Sequence, residues 1–197
     1  VAAKHDSDNK LLSRMPMRRL DAEEVHDGLL AVAGRLDMRM GGEPDEVQVY
    51  GRSYITGKPG ENGWRRSVFI RQRRIHTMTL LQTFDLPAMN PNCVERINST
   101  VVQQPLYLLH DKVIHDLARK LASNILNETK GMEEAVILAY KKIVNRTPTK
   151  KELEGLVESL EELERQFVMA KETGQKNKAL AAVCHALFNS AAFLHVD

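Results

Sequence analysis

The sequence predicts a mainly α-helical fold of the α+β class: a single globular domain over residues 1–197, with about six helices and one inserted antiparallel β-hairpin. Two observations lead to this prediction. Apolar residues recur at helical spacing through most of the chain, and they alternate with polar residues only between about 46 and 74. With 43% hydrophobic residues, the chain can also bury roughly 70% of the surface that its unfolded form exposes. Residues 1–10 are polar, and we expect them to be disordered.

The first helix should begin just after Asp21. Asp21 and Glu24 have the spacing of an N-cap residue and its capping-box partner. The buried face of this helix is expected to contain Val25, Leu29, Val32 and Leu36. The pair Gly41-Gly42 follows, and it should end the helix.

Residues 46–74 are predicted to form two antiparallel strands. The period of two is carried in the first strand by Val47, Val49, Gly51, Ser53 and Ile55, and in the second by Val68, Ile70 and Gln72. The connection over residues 57–63 is rich in Gly and Pro and is longer than a tight turn. Its length leaves the register of the two strands open.

A short helix and a loop should lead into the C-terminal part of the chain. The helix is predicted over residues 77–84, and the Pro-containing loop over residues 85–93. Ser99 or Thr100 should cap the next helix, in which Pro105 is tolerated only near the first turn. The apolar face of that helix is expected to continue through Val113, Leu117, Leu121 and Ile125.

Three further helices complete the predicted C-terminal helical part, residues 99–197. Thr149 and Glu152 are three positions apart and have the form of a capping box. The three helices are predicted over residues 132–144, 150–172 and 178–193.

Composition and charge argue against several classes of function. The formal net charge is only +2, so the molecule has no strong overall electrostatic field that would attract nucleic acid. Nucleic acid is therefore the least favoured partner. No apolar run approaches the ~20 residues that span a bilayer. The phosphate-binding patterns G-x-x-x-x-G-K-[ST] and G-x-G-x-x-G are absent from the sequence. We therefore predict no cofactor and assign no catalytic residue.

Two cysteines, Cys93 and Cys184, are too few for a disulfide framework and are not spaced as metal ligands. They can pair only if the fold brings them together, and two buried free thiols are the alternative. His185 follows Cys184, but no C-x-x precedes the pair to complete a haem-attachment motif. We expect His185 to pack in the core of the last helix.

The string HDKVIHD, residues 110–116, suggests a metal site at first sight. On a helix, however, His110 and His115 lie five positions apart, roughly 140° around the axis. Two ligands on one helical face need a separation of three or four. The spacing therefore argues against metal, and no metal site is predicted.

Several strings, taken in order, resemble one family. They include RRLDAEEVHDGLLAVAGRLD followed by Gly41-Gly42, RRSVFIRQRR, Phe84-Asp85, and Cys93 leading to Arg96 and Ser99-Thr100. The likeness continues through residues 104–109, Tyr140, the segment 146–149 with Glu152, and the endings 185–190 and 193–197. Over roughly residues 9–197 the chain resembles the C-terminal half of domain of unknown function fifteen fifty-three, found in large planctomycete and verrucomicrobial proteins.

The resemblance implies a fragment of a larger protein, with the upstream half of that parent protein as a partner. Members of the family often carry a cytochrome-c-like domain, and this domain association implies an exported, periplasmic protein. The family supplies no demonstrated reaction, so it implies no catalytic residue.

The most distinctive local feature is a predicted basic strand over residues 64–76, which contains no acidic residue. Its candidate anion-binding residues are Trp64, Arg65, Arg66, Arg71, Arg73 and Arg74. Guanidinium groups bind phosphate, sulfate or carboxylate through paired hydrogen bonds, and an indole ring can stack on a sugar. The alternative is that these arginines pair with acidic residues of the same fold, such as the helical face around Glu158, or with the upstream half.

Two hypotheses for function follow. The first is a non-catalytic structural or interaction module of an exported multidomain protein, because the recognisable motifs are caps, apolar faces and turns. The second is a substrate-binding or catalytic part that acts on an anionic polysaccharide, with the basic strand holding sulfate or carboxylate groups.

Overall fold

A computed structural model of the chain describes residues 6–13, 15–51, 53–73, 77–87, 96 and 98–196. Within these residues it contains eight α-helices and three two-stranded sheets. The fold is mainly α with some β, as the sequence predicts. The predicted loop over 85–93 lies largely outside the described residues. Arg74, Cys93 and residues 1–5 of the N-terminal segment predicted to be disordered also lie outside them.

The helices are α1 (Ala22–Val32), α2 (Thr79–Thr83), α3 (Gln103–His110), α4 (Lys112–Glu128), α5 (Met132–Val144), α6 (Lys150–Met169), α7 (Gln175–Phe188) and α8 (Ala191–Leu194). The strands are β1 (Arg18–Arg19), β2 (Leu36–Asp37), β3 (Val47–Tyr50), β4 (Tyr54–Gly57), β5 (Trp64–Arg65) and β6 (His195–Val196). β1 pairs with β6 and β3 with β4, both antiparallel, whereas β2 pairs with β5 in parallel.

Helix α7 lies at the centre of the helical part. It packs along α4 and also contacts α5 and α6. Its buried residues occupy most of its circumference: Ala179, Leu180, Ala181, Val183, Cys184, His185, Leu187 and Phe188. A helix that is apolar on most sides must be covered on most sides, so its neighbours are arranged around it.

Helix α1 begins as predicted but ends earlier. Asp21 and Glu24 form the capping box, which confirms the predicted start. The helix ends at Val32, not at Gly41-Gly42, because Gly34 adopts a φ of +67° and turns the chain. Leu36 therefore lies in β2, where it pairs with Trp64.

The predicted pairing of a 47–55 strand with a 68–72 strand is wrong. The chain reverses at Gly51, whose φ is +62°, and β4 returns directly along β3. The alternation that suggested one long strand thus belongs to both arms of a short hairpin. Val68 lies in a 3-10 turn, Ser67–Phe69, so within its described residues, 64–73, the predicted basic strand forms a strand only at β5.

Two predicted helices are divided. Asp111 leaves the helical conformation at the end of α3, and its carboxylate accepts hydrogen bonds from the N–H groups of Val113 and Ile114 to begin α4. Ser190 has an extended backbone that separates α7 from α8, and its hydroxyl donates to the Leu187 carbonyl at 2.7 Å. The six predicted helices become eight because short polar side chains bond to the backbone inside continuous apolar patterns.

The remaining helical predictions are mostly confirmed. α5 has the predicted bounds, and Thr149 and Glu152 form the capping box of α6. Pro105 lies in the first turn of α3. The prediction that Ser99 or Thr100 caps α3 is wrong, since the N-cap residue is Val102.

Candidate functional site

Arg65 is buried and is held by groups of its own chain. Its Nε donates to Asp45 Oδ1 at 2.9 Å, and its Nη1 donates to the Gly41 carbonyl at 2.7 Å. Its Nη2 donates to the Glu43 carbonyl, and the Phe69 ring centroid lies 4.9 Å from Cζ. The hydrogen bond and charge of Asp45 raise the pKa of Arg65. This guanidinium organises the 41–45 loop.

Arg71 and Arg73 both pair with Glu46, at N–O distances of 2.5 and 3.3 Å. Arg66 is exposed, and it has no ion pair within the described part of the chain. Arg74 lies outside the described residues. Three of the candidate arginines therefore pair inside the fold, but with the adjacent acids Asp45 and Glu46 and not with the helical face around Glu158.

The Trp64 side chain also makes internal contacts. Its indole N–H donates to the Gly57 carbonyl at 3.2 Å, and the Arg35 guanidinium lies 5.3 Å from the ring centroid. Trp64 thereby joins β5 to the end of β4 and to the turn after α1. Its ring is partly covered by the chain's own cation.

A first polar cluster, the Arg19 node, consists of Arg19, Phe84, Asp85, Ser99 and Gln104. The buried Arg19 guanidinium donates to the carbonyls of Ser99 at 2.7 Å and Phe84 at 3.1 Å, and to Asp85 Oδ2 at 2.8 Å. The Gln104 amide donates to the Ser99 carbonyl at 3.2 Å. These contacts fix strand β1, the end of α2 and the start of α3 relative to one another.

The pKa of Asp85 is lowered within this node. Burial alone would raise it, but the N–H and hydroxyl of Ser99 and the guanidinium of Arg19 outweigh burial. Asp85 is therefore ionised at neutral pH and compensates the buried charge of Arg19. The node is a buried ion pair that stabilises the fold, although the Arg19 Nε has no hydrogen-bond partner among the described residues.

A second cluster, the Arg146 node, consists of Tyr140, Arg146, Thr149 and Glu152. Glu152 accepts from the two Nη groups of Arg146 at 2.9 and 2.7 Å, from the Tyr140 hydroxyl at 2.7 Å and from the Thr149 N–H at 2.8 Å. The guanidinium bonds lower the pKa of Glu152, and burial together with Glu152 raises the pKa of Tyr140 to about 12. The node closes the turn between α5 and α6.

His115, from the string HDKVIHD, and His185, which follows Cys184, lie with their imidazole rings in contact. The rings of His115 and His185 are 4.1 Å apart between centroids. His185 Nε2 lies 2.8 Å from the Leu108 carbonyl, and His115 Nε2 lies 3.0 Å from the Leu109 carbonyl. Since a carbonyl only accepts, both Nε2 atoms carry the proton and cap the last turn of α3. Burial, with smaller effects of His115 and His110, lowers the pKa of His185.

Metal ligation and thiol chemistry gain no geometric support here. Within the described residues, no group of three or more His, Cys, Asp or Glu side chains is placed to hold a metal ion. Cys184 is a buried free thiol, and burial raises its pKa to about 12, which keeps it protonated and unreactive. His185 packs in the core as the sequence predicts.

The outer face of α3, defined by Val101, Val102, Leu106 and Leu109, was not predicted from the sequence. These side chains are exposed by 39%, 70%, 47% and 45%. The opposite side of the helix carries the buried Gln104 and Leu108. The signal was present in the sequence, because residues 97–110 contain no Asp, Glu, Lys or Arg in a chain with 27% charged residues.

The fold and these clusters define a helical module whose polar motif residues mainly fix its elements relative to one another. The chain belongs to the family described as "Protein of unknown function (DUF1553)", whose model matches residues 1–160. This finding confirms the family that the sequence strings resemble. No curated protein and no solved structure matches the chain. Among the described helices, none has the length and apolarity that crossing a bilayer requires.

Proposed function

We propose that this chain is a non-catalytic structural and interaction module of an exported multidomain protein, and that it docks through the outer face of α3. The observation that carries the proposal is this exposed apolar stripe on a helix whose inner face is fixed in the core. The Arg19 and Arg146 nodes support the structural part, because their polar groups bind one another inside the chain.

The outer face of α3 has the geometry of a docking helix. Val102, Leu106 and Leu109 are four and three positions apart, so they lie on one side. The inner side is held by His185, which bonds to the Leu108 carbonyl, and by Asn189, whose amide donates to the Pro105 carbonyl at 3.3 Å. A partner would therefore meet a pre-ordered surface, which reduces the entropic cost of binding.

The lack of charge on the outer face of α3 indicates what kind of partner surface it can bind. The absence of charge over residues 97–110 matches the depletion of charged residues in the buried centre of protein interfaces. A charged partner surface would lose hydration there without gaining an ion pair. We propose that the upstream half of the parent protein supplies the complement, as the apolar side of an amphipathic helix.

A matched pair of variants tests this proposal. Val102→Asp places a charge on the proposed interface, and folding should be retained because Val102 is 70% exposed and a negative charge is favourable at a helix N-terminus. Val168→Asp makes the same change at an exposed valine near the end of α6. Val102→Asp should weaken binding to the separately expressed upstream half by roughly tenfold or more, since a buried valine contributes about 1.5–3 kcal/mol.

Binding is measured by isothermal titration calorimetry, with circular dichroism to verify that both variants fold. Val168→Asp should bind like the unaltered chain. Equal affinities for the unaltered chain and Val102→Asp, or no complex at all, would contradict the proposal. Salt-dependent retention on heparin that Arg66→Ala abolishes would instead support the anionic-polysaccharide hypothesis.

A further inference from the structure

We propose that a small cavity between α1, β4 and the junction of α3 with α4, whose lining is mainly apolar but includes a few polar side chains, binds one ordered water molecule. The cavity has a volume of about 20 Å³, and its lining includes His26, Thr56, Tyr107, Asp111 and Ile114. About 10–15 Å³ of such volume holds one water, provided that two to four polar groups are in reach. The cavity thus has room for one water and for nothing larger.

His26 supplies the acceptor. Its Nδ1 lies 2.8 Å from Asp27 Oδ1, and the same oxygen accepts the Ser67 N–H at 2.7 Å. Because a carboxylate oxygen only accepts hydrogen bonds, the Nδ1 atom of His26 carries the proton. Nε2 is then an unprotonated acceptor on the opposite side of a ring that is only 3% exposed. No side chain or backbone group of the described residues bonds to this atom.

The other polar groups of the cavity can donate to water and accept from it. Burial together with the charge of Asp111 raises the pKa of Tyr107, so its hydroxyl stays protonated. The Tyr54 hydroxyl donates to Asp111 Oδ2 at 2.6 Å, and the buried Thr56 also lines the cavity. Water in the cavity can donate to His26 Nε2 and complete its shell with the hydroxyls of Thr56 and Tyr107.

The pairing of Asp27 with His26 has the form of an oriented general base, but the cavity excludes catalysis on any substrate larger than water. Most of its lining residues are buried, among them Leu29, Met78 and Leu80. The bound water would join α1, the β3–β4 hairpin and α3 by hydrogen bonds. This water site is separate from the outer face of α3, and its occupancy does not depend on the proposed function.

The unaltered chain provides the first test. A crystal structure in which ordered surface waters are visible should show a density peak about 2.7–3.2 Å from His26 Nε2 and from a Thr56 or Tyr107 oxygen. Nitrogen NMR of the imidazole should show the proton on Nδ1. A cavity without such a peak, or a His26 protonated on Nε2 alone, would overturn the proposal.

Thr56→Val is the matching variant, because it removes a hydroxyl while keeping the shape of the side chain. The residence time of the buried water, measured by oxygen-17 relaxation dispersion, should fall about tenfold, as expected for one lost hydrogen bond. Thr129→Val is the control, since the Thr129 hydroxyl bonds to the Ile125 carbonyl within its own helix end. An unchanged residence time in Thr56→Val, or an equal fall in Thr129→Val, would contradict the assignment of the water's partners.

Discussion

Replacing Asp85 by Ala should lower the free energy of unfolding by about 3 kcal/mol. The substitution leaves the Arg19 guanidinium, whose side chain is 6% exposed, without its counter-ion. Removing one partner of a buried ion pair costs about 3–5 kcal/mol, and the carbonyls of Ser99 and Phe84 keep the cost near the lower end. The variant also leaves the Ser99 N–H without the carboxylate that it donates to at 2.8 Å.

The assay is equilibrium unfolding in urea, followed by circular dichroism. With a slope of about 2 kcal/mol per molar urea, the midpoint should fall by about 1.5 M. Asp116→Ala is the control, because Asp116 pairs with Arg119 at an exposed site and its loss should cost less than about 0.5 kcal/mol. A midpoint for Asp85→Ala within the range of this control would refute the assignment of the Arg19 node as a buried structural ion pair.

The same pair predicts a pH dependence. The pKa of Asp85 is lower in the folded chain than its ordinary value of 3.8. Its stabilisation is therefore present above the unfolded value and is lost as the pH falls below about 4, through the folded pKa. Asp85→Ala should remove this part of the acid destabilisation, and a variant that retains the full pH dependence would contradict the stated cause.

Two further predictions concern single positions. Gly63→Ala should lower the free energy of unfolding by about 3 kcal/mol or more, because a Cβ there would lie 2.2 Å from the Arg35 carbonyl oxygen at a φ of +118°. Gly155→Ala, in open space within α6, should raise the free energy of unfolding by up to about 1 kcal/mol. Thermal melts of both variants check this, and shifts of the same sign would contradict it. Since the pKa of His185 is lowered from 6.5, the folded state resists protonation, and stability should fall as the pH decreases below about 6.5. His185→Gln should reduce the fall in the urea midpoint between pH 7.5 and 5. An equally large fall in the variant would show that other groups cause the pH dependence.

Local signals in the sequence were sufficient for most helices. The capping boxes at Asp21 and Thr149 determined two helix starts, because capping chemistry acts within four residues. The division at Asp111 was not predicted, since its carboxylate also accepts from Tyr54, which is 57 positions away. A short polar residue inside an apolar pattern breaks a helix when a distant donor holds it there.

The hairpin and the candidate site depended on contacts that no local pattern contains. Alternation around Gly51 was compatible with one strand or two, and only the pairing of β3 with β4 decides between them. The basic strand was recognised from its composition, but the burial of Arg65 against Asp45 joins residues 20 positions apart. The family strings likewise identify the residues of the Arg19 node without predicting that they meet.

Hydrogen exchange of the parent protein tests the central claim most directly. Amide exchange over residues 98–110 is compared between the isolated chain and the complete parent protein at the same pH and temperature. If the outer face of α3 docks on the upstream half, exchange in this segment should slow by tenfold or more in the parent, while the end of α6 near Val168 should be unchanged. Equal exchange over residues 98–110, with new protection over residues 64–73 instead, would contradict the account.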